Sequence, residues 1–199
     1  MKKHLTILKA LSTLALATTL LSGCQTMHQQ PTVNPINTNK MLTPKKLAAF
    51  NIDGKIGIVN TVANQAGSAF YVWAQEDERF TIELQGALGI GFTRIQYNGQ
   101  TATLENADVG TIAADDPDAL LLQATGWQAP ISQLPYWISG SPAPTDSSQA
   151  LDSQYRLLTA TNGDWAATFN YTDDNKLPRK IISTNTNGSK VTMIIKHQQ

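Results

Sequence analysis

Residues 50–58 read FNIDGKIGI, and this stretch decides the fold class because apolar and polar side chains alternate along it. Its large apolar side chains all fall at even positions: Phe50, Ile52, Ile56 and Ile58. The intervening positions include Asp53 and Lys55. A period of two places the apolar side chains on one face of a β-strand. We therefore predict a strand with one buried face, which is typical of antiparallel sheets.

Two further stretches alternate in the same way, residues 80–84 (FTIEL) and 165–171 (WAATFNY). Residues that favour tight turns lie between such runs: Asn98-Gly99, Asn162-Gly163, Asp173-Asp174-Asn175 and Asn187-Gly188. Turns of this kind join neighbouring antiparallel strands. The sequence therefore predicts an antiparallel meander.

Three segments carry helix signals. Thr43-Pro44 is typical of an N-cap and first helical residue, and predicts a short helix that runs to Phe50. Asp116-Pro117 predicts a second helix that contains residues 120–122 and ends near Gly126. A third is predicted from residue 132 to residue 138. Its N-cap must be the serine at 132, so that the proline at 135 falls in the first turn, where a missing N–H costs nothing.

The N-terminus has the layout of a bacterial lipoprotein signal. Lys2-Lys3 precede an apolar segment over residues 10–21, and residues 21–24 read LSGC. The segment is shorter than the roughly 20 apolar residues that cross a membrane. The alternative is a buried cysteine at the end of an ordinary helix. We predict removal of residues 1–23 and acylation of Cys24.

The rest of the chain divides into a tether and one domain. Residues 24–42 form the predicted lipidated N-terminus and flexible tether, because this segment is rich in Gln, Asn, Thr and Pro and has few large apolar side chains. A flexible chain of that length reaches roughly 24 Å. Residues 43–199 form the predicted domain, which we expect to be a monomer.

Composition excludes several classes of function. Signal removal takes away three of the 15 basic residues and none of the 15 acidic ones, so the mature chain is acidic and unsuited to nucleic acid. The histidines, at positions 4, 28 and 197, lie in the predicted signal, in the tether and near the C-terminal end, so we expect no histidine-dependent catalysis in the body of the domain. No ligand spacing for a metal is recognisable. We therefore expect neither an enzyme nor a cofactor.

The connection at residues 86–91, GALGIG, is apolar where a hairpin loop is normally polar. One interpretation is that Leu88 and Ile90 fold back on the core. The other is that Ala87, Leu88 and Ile90 form an exposed finger for a membrane or an apolar ligand. An uncharged leucine flanked by small residues would enter lipid at little cost.

A second unusual feature is residues 70–73, FYVW, where both faces of a predicted strand are apolar. The predicted helices add apolar surface at residues 120–122, 137 and 138. An antiparallel sheet curled around helices can enclose an apolar cavity. The commoner arrangement is a sheet packed solidly on the helices. A hollow interior would favour a carrier of apolar ligands, and a filled one a lipid-anchored scaffold or interaction protein.

Together, these segments resemble the LolB family of outer-membrane lipoprotein receptors. The resemblance is carried, in order, by the LSGC motif, residues 50–57, the strand with Tyr71 and Trp73, residues 87–89, and GWQAPI at 126–131 with the helix after it. It continues through the aromatic residues at 165 and 171 and Leu177-Pro178. The proline at 135 and Ile90-Gly91 depart from the family pattern.

The resemblance implies a mainly β fold with some α-structure. This fold is an incomplete antiparallel barrel over an apolar cavity, with short helices as plug or lid. It implies a receptor that accepts acylated lipoproteins from the periplasmic carrier LolA and inserts them into the inner leaflet of the outer membrane. Leu88 matches the leucine of the family's membrane-insertion loop. Six residues fall in segments that line or cover its acyl-chain cavity: Tyr71, Trp73, Ile82, Leu84, Trp137 and Ile138.

Overall fold

The computed structural model describes residues 41–86, 91–172 and 174–198. In these ranges the chain forms strands β1 (Ala49–Asn60), β2 (Gln65–Glu76), β3 (Arg79–Gln85), β4 (Phe92–Tyr97), β5 (Ala102–Asn106), β6 (Gly110–Ala114), β7 (Ser148–Leu151), β8 (Leu157–Asn162), β9 (Trp165–Asn170), β10 (Lys180–Asn185) and β11 (Lys190–His197). Two helices, α1 (Pro117–Thr125) and α2 (Leu134–Ile138), lie between β6 and β7. The protein is therefore mainly β with some α, as predicted.

All eleven strands belong to one antiparallel sheet in the order β6-β5-β4-β3-β2-β1-β11-β10-β9-β8-β7. Every neighbouring pair is consecutive in the chain except β1 and β11, which pair from Ile52 opposite His197 to Val59 opposite Lys190. The edge strands are β6 and β7, and the helical segment connects them. The predicted incomplete antiparallel barrel is thus confirmed as a single open sheet.

The turns agree with the sequence pattern. The predicted turns at residues 98–99 and 187–188 lie between consecutive strands. The turn predicted at Asn162-Gly163 is one residue later, at 163–164, because Asn162 is the last residue of β8. Asp173 lies outside the described residues. Strand β9 ends at Asn170, one residue before the end of the alternating stretch 165–171. The hydroxyl of the next residue, Tyr171, donates to the carbonyl of Leu157 at 2.8 Å.

The core lies between one face of the sheet and the helices. The four apolar side chains that alternate along β1 are all buried: Phe50, Ile52, Ile56 and Ile58. From the helical side, Leu120 and Trp137 are fully buried, and the Trp137 ring meets Phe169 edge-on with centroids 6.1 Å apart. The helices therefore cover the apolar inner face of the sheet.

Helix α1 has the predicted caps. The Asp116 carboxylate accepts the backbone N–H groups of Asp118 at 2.7 Å and Ala119 at 3.1 Å. Gly126 ends the helix with φ at 72°, and its N–H donates to the carbonyl of Leu122. This left-handed end suits glycine because glycine has no Cβ.

Helix α2 begins one residue later than predicted. Gln133, and not Ser132, is its N-cap. Pro135 still falls within the first turn, where its missing N–H leaves no intrahelical hydrogen bond unmade.

The predicted helix over residues 43–50 is wrong. Residues 43–47 have no regular secondary structure, and β1 begins at Ala49. The N–H of Lys45 donates to the Ser141 hydroxyl at 2.8 Å, and the N–H of Leu47 donates to the Ser139 hydroxyl at 3.0 Å. Side chains that are distant in sequence therefore satisfy these N–H groups, and tertiary bonding overrides the local Thr-Pro signal.

Candidate functional site

An apolar void of about 40 Å³ lies between the sheet and the helical segment of residues 117–138, which we call the cover. Its lining is entirely apolar or aromatic: Ile56, Ile58, Tyr71, Trp73, Ile82, Leu84, Ile95 and Met193 from the sheet, with Leu121, Trp127, Ala129, Ile131 and Leu134 from the cover. A void of that size has room for roughly three waters. The interior is therefore apolar but nearly filled.

The structure divides the six predicted cavity residues into two groups. The four on strands β2 and β3 line the void: Tyr71, Trp73, Ile82 and Leu84. Trp137 and Ile138 are fully buried but are not among the residues that line the void. The Trp137 indole N–H donates to the Asp146 carboxylate at 3.1 Å, which fixes this ring in the core.

Tyr71 is the one void-lining residue with an ionisable group, and its hydroxyl is satisfied at the wall. It donates to the carbonyl of Ile194 at 3.1 Å. Gly54 leaves room for the Ile194 carbonyl, because a Cβ at residue 54 would overlap that oxygen. Burial raises the pKa of Tyr71 above its ordinary value of 10.0, and the charge of Asp53 raises it further. The hydroxyl therefore stays neutral, and the ring faces the void.

The residues predicted for acylation and membrane insertion lie outside the described residues: Cys24, Ala87, Leu88 and Ile90. The base of the apolar loop is described. The N–H of Gly86 donates to the carbonyl of Gly91 at 3.3 Å, and both glycines are exposed. The loop thus starts and ends at the solvent-exposed end of the β3–β4 hairpin.

Comparison with known proteins decides the family. The family model described as "Outer membrane lipoprotein LolB" matches residues 48–197, which is most of the chain. This chain belongs to the LolB family. The match covers all eleven strands and the cover, so the resemblance that the sequence predicted is confirmed.

Curated LolB relatives align over nearly the whole length of both chains. The outer-membrane lipoprotein LolB of Stutzerimonas stutzeri strain A1501 is 33% identical over 90% of this chain and 90% of its own. That of Pseudomonas aeruginosa strain UCBPP-PA14 is 33% identical over 93% of each. A LolA superfamily protein from Nitrosomonas europaea aligns with a TM-score of 0.48 and 12% identity over 78% of this chain and 86% of that one, too distant to bear on function.

Sequence reasoning missed the cover's contribution to the LolB-family interior. Trp127, Ala129, Ile131 and Leu134 all face the void from the connection around α2. The signal was present, because apolar side chains at 127, 129 and 131 alternate with Gln128 and Pro130. A period of two is easily overlooked in a Gly- and Pro-containing connection that forms no strand.

Asp118 ties the two halves of the cover together. It lies in the first turn of α1, and its carboxylate accepts the N–H of Ser132 at 3.0 Å. The pKa of Asp118 is raised from 3.8 to about 6, mainly by burial. The hydrogen bond from Ser132 lowers the pKa, and the charge of Asp116 raises it.

Asp118 is expected to make stability depend on pH. Because its folded-state pKa lies above its ordinary value, the stabilisation from the bound proton is complete below about pH 3.8 and is lost as pH rises through about 6. Asp118→Asn should remove this component of the pH dependence. Urea unfolding of both proteins between pH 4 and 7 measures it, and an identical pH profile for the variant would contradict the assignment.

Two further kinds of site are not found in the part of the chain that the structure describes. It holds no group of three or more His, Cys, Asp or Glu side chains arranged to bind a metal ion. None of its helices has the length and hydropathy needed to cross a membrane.

Proposed function

We propose that this LolB-family protein is an outer-membrane receptor that accepts acylated lipoproteins from the periplasmic carrier LolA and inserts them into the inner leaflet of the outer membrane. The observation that carries the proposal is the uninterrupted apolar lining between sheet and cover. The protein is a monomer anchored through Cys24 and faces the periplasm. Residues 24–42 act as its tether, and residues 43–199 bind the cargo.

The transfer requires no covalent chemistry. Burial of three acyl chains of about 15 carbons contributes some 35 kcal/mol at about 0.8 kcal/mol per CH₂, so release through water is negligibly slow. A protein interior that keeps the chains covered removes this barrier. Direction follows if this interior binds the chains more tightly than the carrier does and less tightly than the bilayer does.

Cargo must displace the cover, because a void of about 40 Å³ is too small for an acyl chain. Leu121, Trp127 and Ile131 occupy the apolar face of the sheet in the closed form. An entering chain gives the sheet equally apolar contacts, and the displaced cover stays out of water only if its apolar side chains then pack on the bound chain. The Asp118–Ser132 hydrogen bond joins the two halves of the cover.

The alternative is a lipid-anchored scaffold with a solid core. The small void taken alone favours it, since a nearly filled interior is what a scaffold needs. Membership of the LolB family favours the receptor. The apolar cover reconciles the two observations, because a closed receptor without cargo is also nearly filled.

A pair of leucine variants tests the proposed interior. Leu84 lines the void, whereas Leu157 is fully buried and is not among its lining residues. Leu84→Ser should weaken binding of an acylated lipoprotein about tenfold, because a hydroxyl facing the chains costs roughly 1–3 kcal/mol. Leu157→Ser should lower the free energy of unfolding by about 2–5 kcal/mol and leave the affinity of the folded fraction unchanged.

Urea unfolding and titration with a fluorescent acylated lipoprotein separate the two effects. Leu157→Ser should lose binding only to the extent that it unfolds. If Leu84→Ser behaves in the same way, Leu84 does not contact the acyl chains, and the scaffold explains the data better than the receptor.

A further inference from the structure

A row of apolar and lysine side chains crosses the outer face of the sheet beside the apolar loop. Strand pairing places six residues side by side, which we call the Phe70 row: Phe92, Gln85, Phe70, Lys55, Ile194 and Lys180. The row crosses six strands, roughly 24 Å at the usual strand spacing. It contains Phe70, one of the outward-facing residues of the FYVW segment.

The apolar members of this row are unusually exposed. Phe70 is 68% exposed, Ile194 45% and Phe92 44%. Val72, two residues after Phe70 on the same face, is 50% exposed. Single exposed apolar side chains are common, but a series of them along one surface marks an interaction site. The proposed receptor activity leaves this outer surface unused, because the acyl chains bind on the opposite face of the sheet.

The neighbouring row differs in charge. On the side away from the loop, pairing aligns Glu105, Arg94, Glu83, Val72, Asp53 and Lys196. This row holds three acidic and two basic residues, and the Arg94 guanidinium lies 3.0 Å from Glu83 and 3.8 Å from Glu105. The Phe70 row has two lysines and no acidic residue. Both rows therefore hold two basic residues, but only in the Phe70 row do the cations lie among exposed aromatic side chains with no carboxylate in the same row.

We propose that the Phe70 row rests on an anionic lipid bilayer. The phenylalanines and Ile194 enter the boundary between headgroups and acyl chains, where aromatic side chains are favoured. Lys55 and Lys180 extend their apolar stems over the same surface and place their ammonium groups against lipid phosphates. The absence of carboxylates in the row is what suits it to lipid phosphate.

The row is continuous with the apolar loop. Gln85 is the last residue of β3 and Phe92 the first of β4, so one end of the row lies at the base of the loop. A domain seated on this row would bring Gln85 and Phe92, at the base of the loop, to the lipid surface independently of any cargo. The proposal therefore goes beyond the receptor activity and defines how the domain is oriented on the membrane.

Depth-dependent quenching in the full-length acylated protein tests the proposal. Cys24 is the only natural cysteine and is consumed by acylation, so an introduced cysteine is the only one free to be labelled. Gln85→Cys places a fluorophore in the row, and Gln96→Cys places a control fluorophore on an exposed residue of β4 outside it. The vesicles contain phosphatidylethanolamine and phosphatidylglycerol, with a nitroxide lipid as quencher.

The label at 85 should be quenched at least twofold more than the label at 96. Phe70→Ser and Lys55→Gln should each reduce that quenching at least twofold, as should replacement of phosphatidylglycerol by phosphatidylcholine. Lys176→Gln, which neutralises an exposed lysine in the turn before β10, should leave it unchanged. Equal quenching at 85 and 96, or no effect of Phe70→Ser, would overturn the proposal.

A protein occupant gives a different result. If a second copy of this chain covers the row, the label at 85 is shielded from a water-soluble quencher without vesicles, increasingly at higher protein concentration. That outcome would also overturn the bilayer assignment. Cargo transfer from the carrier, measured separately, tests the receptor activity independently of the orientation.

Discussion

Cys24→Ser is expected to abolish incorporation of fatty acid and to leave a precursor that retains residues 1–23. The thiol is the only attachment site that the chain offers, and a serine hydroxyl does not replace it. The protein should then be absent from the outer membrane. Metabolic labelling with a clickable fatty acid, followed by membrane fractionation, measures both effects.

Ser22→Ala is the matched control for this change. It lies two residues before Cys24 and replaces one small side chain by another, which a cleavage site of this kind tolerates. Its label should equal that of the wild type. Fatty-acid label on the Cys24→Ser protein would contradict the predicted lipoprotein signal.

The sheet could be predicted because its determinants are local. Alternation along β1 and turn-forming pairs such as Asn187-Gly188 specify strands and hairpins within a few residues of sequence. The extended segment at 43–47 could not be predicted in this way. Its N–H groups bond to Ser139 and Ser141, more than 90 positions away, and no local pattern reveals such partners.

The candidate site was predictable where one periodic strand determines the face. Tyr71 and Trp73 are two residues apart and therefore share the inward face of β2, where both line the void. The helical residues were harder, because α2 has only five residues, too few for periodicity to decide which of them face the void. The prediction for Trp137 shows this limit, because Trp137 is buried in the core but is not among the void-lining residues.

The FYVW segment shows a further limit of sequence reasoning. Apolar side chains on both faces of this strand suggested an enclosed cavity. In the structure only Tyr71 and Trp73 face inward, whereas Phe70 and Val72 face solvent. Sequence identifies the excess of apolar side chains, but the strand pairing is needed to show that Phe70 adjoins Lys55 and the base of the loop.

Leu88→Glu is expected to separate acceptance of cargo from its insertion. We predict that Leu88 is the membrane-entering residue of the loop between Gly86 and Gly91. A carboxylate on an exposed loop costs little in folding but must lose its hydration to enter lipid, at a cost of several kcal/mol. The variant should still take lipoprotein from the carrier, while insertion into liposomes falls at least a hundredfold.

Gln100→Glu supplies the control, because it adds the same charge in the turn at the opposite end of β4. It should leave acceptance, insertion and thermal stability unchanged. If Leu88 instead packs in the core, Leu88→Glu should lower the free energy of unfolding by several kcal/mol, since a buried carboxylate would lack a partner. A stable Leu88→Glu protein that inserts cargo at the wild-type rate would show that the loop does not enter the membrane.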